Sequence, residues 1–419
     1  MRSNRSIGSR AFGVFAGLGL LGVGVLLVAQ EPAAPKFKFD ADWPKPLPNK
    51  WKMGGVTGLA VDKDDNVWVY DRPNDLTDIE LEAELTPPLA DCCVRPPSMI
   101  HIDKQGNVIG SFDAPQGHGM AIDSKGFAYL GQDTVRKYDS KTGQLVGEVP
   151  RTPERQPGGG GGDGAPPTSE HVAGRGSRGP VAGFLAPPGG RAQPDAAAQA
   201  SREAAIKAFR AKYPPTTPMI VGGIEEIRLD EPAREMYVAD NYLGGRVMVF
   251  DLDTLQFKRG WGAYGHKLSE MTTDDKDRAY TPGGPEPKEF RGHLTLNVSH
   301  DGMVYAADRM ANRIQVFTKD GKYLKEFVVA PMTGVGGSTG GVMFSPDKAQ
   351  RLLYISDLTN NHIYFINRED GKIVSQMGSM GENGGQFFGL HMIAVDSKGD
   401  IYTGEVFQGE RVQRFLPAK

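Results

Sequence analysis

The chain has 419 residues, 39% of them hydrophobic, with 55 glycines and 30 prolines, which suits one large turn-rich β domain carrying an insertion. Its formal net charge is −3 and its basic residues are dispersed rather than gathered, which excludes a basic nucleic-acid-binding surface. The two cysteines, Cys92 and Cys93, are adjacent and lack CxxC spacing, which excludes a thiol-built zinc site.

In chain order, Arg2, Arg5 and Arg10 precede an uncharged apolar run from Ala11 to Ala29. This reads as a signal peptide over residues 1–30, cut near Ala29 or Ala34 or else kept as a signal anchor, and it sends the protein to the periplasm or the extracellular space. In that oxidising setting Cys92 and Cys93 either bond to each other as a loop staple or bridge to another chain.

From residue 58 a hairpin recurs: GLAVDKDDNVWVYDR (58–72), GHGMAIDSKGFAYLGQ (117–132), EIRLDEPAREMYVADNY (226–242), GHLTLNVSHDGMVYAADR (292–309), VMFSPDKAQRLLYISDLTNN (342–361) and LHMIAVDSKGDIYTGEV (390–406). Each is an alternating strand, a polar turn and a second alternating strand. Further strand pairs with Asp/Asn-x-Gly-type turns follow at 98–113, 135–149, 246–262, 313–329 and 362–378. Six copies, mostly about 45 to 70 residues apart, predict an all-β fold, a six-bladed β-propeller, in which each copy supplies the inner part of one blade. Blades 1 and 2 are assigned to 37–150 and blades 3 to 6 to 216–419.

The repeat is interrupted at 151–215. A Gly/Pro/Ala-rich tract with GGGGG at 158–162 is too poor in apolar residues to order itself, and AAAQASREAAIKAFRAKY (196–213) predicts one helix ended by Pro214 and Pro215. Such an insertion either covers the channel mouth or is a tolerated surface loop, and the second is the commoner outcome.

His118, His293 and His391 fall at one point of the repeat, in copies 2, 4 and 6. Innermost strands line the channel of a propeller, so alternate blades bring three imidazoles in at about 120° to one another. That set suits one zinc ion with an open fourth position. Taken singly, each histidine is more simply a hydrogen-bonded structural residue. Arg72, Tyr242 and Arg309 follow the ends of second strands, which return to the same rim. Two guanidiniums there suit a carboxylate, or pair instead with Asp71 and Asp308; a phenol beside a dication and two arginines has its ionised form favoured.

On these hairpins, the strings ADNYxxxRVxVF (239–250) and ADRxxNRIQVF (307–317), and the three strand-entry histidines, the sequence resembles the peptidyl-α-hydroxyglycine α-amidating lyases, NHL-repeat six-bladed propellers. The resemblance spans about residues 50–418. It implies zinc on His118, His293 and His391, a catalytic Tyr242, and Arg72 and Arg309 completing the site. The implied reaction cleaves a carbinolamide N–C bond to give an amide and glyoxylate, with a small-molecule or peptide substrate bearing a carboxylate. The family's calcium carboxylate is replaced by Met392, and its disulfide beside the tyrosine by Leu243. Two other readings stand beside it: a propeller without chemistry that binds peptide or protein on its rim, and a calcium-dependent lactonase-like propeller.

Overall fold

The computed structural model describes residues 33–154, 157, 196–334, 336–406 and 409–418. The expected export signal over residues 1–30 and the GGGGG run lie outside the described residues, among which no helix is long and apolar enough to cross a membrane.

The fold is the expected six-bladed β-propeller. After strand β1 (Lys36–Phe39), the first blade is β2 (Gly55–Val61), β3 (Val67–Arg72), β4 (Met99–Ile102) and β5 (Val108–Phe112). The second is β6 (Met120–Ile122), β7 (Phe127–Gly131), β8 (Val135–Asp139) and β9 (Leu145–Glu148). Helix α1 (Ala196–Lys212) then precedes the third blade, β10 (Ile224–Asp230), β11 (Glu235–Asp240), β12 (Arg246–Asp251) and β13 (Phe257–Trp261). The fourth is β14 (Leu294–Val298), β15 (Met303–Asp308), β16 (Arg313–Thr318) and β17 (Tyr323–Val328). The fifth is β18 (Val342–Phe344), β19 (Leu352–Asp357), β20 (His362–Asn367) and β21 (Ile373–Met377). The sixth takes β22 (Leu390–Val395), β23 (Ile401–Glu405) and β24 (Val412–Ala418), with β1 as its outermost strand.

Inner strands touch in the cyclic order β2, β6, β10, β14, β18, β22 and back to β2, so every hairpin opens toward one rim of a closed ring. The turns at the opposite rim are held by their own aspartates. Asp62 Oδ1 accepts from the amides of Asp64 and Asn66, Asp123 Oδ1 from Lys125 and Phe127, and Asp396 Oδ1 from Lys398 and Asp400. These carboxylates thus do the local work of turn capping.

Closure by β1 was not legible in the chain. Lys36 pairs with Ala418 and Phe39 with Phe415, while the Phe37 ring stacks on Phe365 at 5.4 Å and Phe39 lies 6.0 Å from the Phe415 ring. Because the chain runs from β1 into the first blade, the pairing of β1 with β24 ties the first blade to the sixth. Phe37→Ala should lower stability by about 2 kcal/mol, discounted from the full core value because the ring is only half-buried. Exposed Lys38→Ala should change it by less than about 0.5 kcal/mol. Urea unfolding midpoints measure both; equal midpoints would remove β1 from the structural account.

Helix α1 forms where the sequence placed it and is exposed over most of its length. Its last turn is packed, with Phe209 and Arg210 each 6% exposed, and Arg210 Nη2 meets the fully buried Glu289 carboxylate at 2.5 Å. Cys92 and Cys93 are bonded to each other in the loop between β3 and β4.

Candidate metal centre

At the rim where inner strands begin, the backbone departs from regular pairing. Bulges interrupt β2 between Val56 and Gly58, β10 between Ile224 and Glu226, and β22 between Leu390 and Met392. A bulge re-aims the residue it leaves unpaired. Those residues are Thr57, Glu225 and His391. His118 lies two residues ahead of β6 and His293 one residue ahead of β14. The three histidines therefore share a rim but not one register position.

His118 and His391 meet directly, Nε2 to Nε2, at 2.7 Å. Glu225 joins them: its backbone carbonyl accepts from His118 Nδ1 at 2.7 Å, and its Oε1 stands 3.7 Å from His118 Nε2. The same oxygen faces His293 Nδ1 at 3.0 Å. Ligand atoms of His118, Glu225 and His391 all lie within 4.8 Å of one another, a group able to hold a metal ion, and His293 reaches it through Glu225. Gly119 permits this approach, since a Cβ there would come within 2.9 Å of the Glu225 carbonyl oxygen and its φ is +77°. His293 takes a left-handed φ of 52°, a conformation costing roughly 1 kcal/mol.

Burial sets the charge states. It lowers the His118 pKa to about 4, against the opposing pull of Glu225, and with the neighbouring His118 and Arg309 holds His391 well below the usual imidazole range. Both rings are thus neutral near pH 7, the state in which imidazole binds metals. Burial alone would raise the Glu225 carboxyl, but His118, His293 and Arg309 hold it well below the usual carboxylate range. Tyr242 packs edge-on to His293, ring centroids 5.5 Å apart. Its hydroxyl is pushed well above the usual range, by burial first and then by Glu225, while Arg72 and Arg309 pull the other way. The expectation of a phenol driven toward ionisation is therefore reversed among the chain's own groups.

The donor set fits a metal on two counts. His118 donates its distal N–H to a backbone carbonyl, the second contact that metal-binding imidazoles characteristically make. His391 Nδ1 is buried without a hydrogen-bond partner.

Arg72 is fixed through Nε, which donates to the Gly117 carbonyl at 3.0 Å, the oxygen that Thr57 Oγ1 also engages at 2.8 Å. Its Nη2 is buried with no hydrogen-bond partner. Arg309 is 2% exposed and close enough to act on Glu225, Tyr242 and His391. Asp308 is engaged by Arg313, Nη2 to Oδ2 at 2.9 Å, so it serves that clasp. Met392 is 3% exposed and packs in the apolar core, and Leu243 is likewise buried.

Sequence reasoning missed Glu225. The one available signal was IEEIRLD, a pair of acids at the start of an inner strand in a blade without a histidine.

No family model matches the chain. Over 200 residues, 46% of this chain, it is 26% identical to peptidyl-glycine alpha-amidating monooxygenase B of Xenopus laevis, and the match spans 20% of that protein. The family resemblance fits this match. Two crystal structures of virginiamycin B lyase from Staphylococcus aureus, one of a catalytically inactive variant with quinupristin and one selenomethionine-substituted, give TM-scores of 0.44 and 0.43 at 11% and 12% identity. Each alignment covers 91% of this chain and 89% of the other.

Proposed function

We propose that this chain is an exported zinc-dependent lyase that cleaves the N–C bond of a carbinolamide such as a peptidyl-α-hydroxyglycine, giving an amide and glyoxylate. The observation that carries the reading is the buried, unpartnered Arg72 Nη2 on the rim where His118 and His391 meet and Tyr242 packs on His293. A buried guanidinium nitrogen without a partner asks for an anion, and a carboxylate presents two oxygens to a guanidinium fork.

His118, His293 and His391 would hold the zinc, which when bound supplies Lewis acidity toward the substrate hydroxyl. Arg72 and Arg309 bind and neutralise the adjacent carboxylate. Tyr242 Oη takes the hydroxyl proton with Glu225 as the acceptor behind it, and the same pair returns that proton to the departing amide nitrogen. The proton count balances: the hydroxyl carbon becomes the glyoxylate aldehyde as the N–C bond breaks. The bonded Cys92–Cys93 pair supports export to an oxidising compartment.

The test is glyoxylate release from α-hydroxyhippurate and from a peptide ending in α-hydroxyglycine. Chelator-stripped protein should lose at least about 90% of turnover and regain it on adding zinc. No glyoxylate from either substrate with zinc present would overturn the proposal.

A further inference from the structure

The insertion helix is built into the wall of the site. A pocket of about 670 Å³ is bounded on one side by Glu203, Ile206 and Lys207 of α1 and on the other by Tyr242, Leu243 and Asp275. Tyr242 is the shared element: it lines this pocket and its ring packs edge-on against His293. The helix is tied to that tyrosine through a buried carboxylate. Arg210 of α1 and Arg278 both bind Glu289, and Arg278 Nη1 donates to the Tyr242 backbone carbonyl. Replacing α1 by a short turn would remove this wall and the Arg210 contact to Glu289.

Resting on the lyase reading, we propose that this pocket binds the peptide segment N-terminal to the cleaved bond, so that the enzyme favours an extended peptidyl group over a single acyl group. A volume of about 670 Å³ is in the range that holds a drug-sized ligand, far more than a glyoxylate moiety needs. Half-buried Ile206 offers an apolar contact midway along the helix wall, flanked by Glu203 and Lys207 for main-chain and polar groups.

Two readouts test this. Wild-type protein should cleave a tetrapeptide ending in α-hydroxyglycine with kcat/KM at least tenfold above that for α-hydroxyhippurate, chiefly through KM. Ile206→Trp, which pushes a bulkier ring into the pocket from its helix wall, should abolish most of that preference. Lys207→Glu, at an exposed position of the same wall, should also raise the tetrapeptide KM. Independently of turnover, calorimetric binding of the tetrapeptide amide should weaken at least tenfold in Ile206→Trp. Amide binding unchanged by that variant overturns the subsite whether or not glyoxylate is released. Amide binding lost in the variant with no turnover by the wild type upholds the pocket and removes the lyase reading alone.

Discussion

His118→Ala is expected to bring metal content from about one zinc per chain to below about one tenth, and to cut lyase turnover by more than hundredfold. The magnitude follows from position. Replacing a group that merely orients a metal ligand typically costs 10- to 100-fold in affinity or activity. His118 is itself placed as a ligand, with its Nε2 2.7 Å from that of His391 and its Nδ1 locked on the Glu225 carbonyl. The substitution also strips that carbonyl of its partner, a loss of roughly 1–3 kcal/mol in stability, so metal analysis is made on protein whose β-sheet circular dichroism is intact. Met392→Leu, one residue after His391 but turned into the apolar core, should leave metal and turnover within about twofold. A folded His118→Ala protein with full zinc and full turnover would remove the metal centre from the mechanism.

The parts of this architecture that were legible in the chain share a physical cause. Strands β6 and β7, or β22 and β23, are short, mostly apolar runs on either side of an aspartate-started turn, and both the run length and the turn chemistry act over a few residues. That is enough to count blades, and counting them places His118, His293 and His391 on one rim. What escaped was non-local. The four residues of β1 carry no turn signal of their own, and their partner β24 is at the other end of the chain. The bulges that aim Glu225 and His391 inward are also invisible in sequence, because an extra residue in a strand leaves the composition unchanged. Helix α1 was readable from its alanines and terminal prolines, but its docking depends on Glu289, far along the chain in a loop whose sequence says nothing of Arg210.

Glu225→Gln separates a ligand from a proton acceptor. The side chain is fully buried and its Oε1 faces His293 Nδ1 at 3.0 Å and His118 Nε2 at 3.7 Å, with the Tyr242 hydroxyl also set against it. Glutamine keeps the shape and one acceptor oxygen but cannot take up a proton at neutral pH. If three imidazoles hold the zinc, the variant should bind it 10- to 100-fold more weakly yet still fill at saturating metal, as expected for a group beside the ligands. Turnover at saturating zinc should nevertheless fall at least about hundredfold, because Tyr242, already pushed above its ordinary range by burial, loses the carboxylate to which it hands the proton. Turnover equal to wild type would exclude Glu225 from the proton path. Failure to fill with zinc at any concentration would make Glu225 a ligand in place of an imidazole, and His293→Ala would then keep its metal.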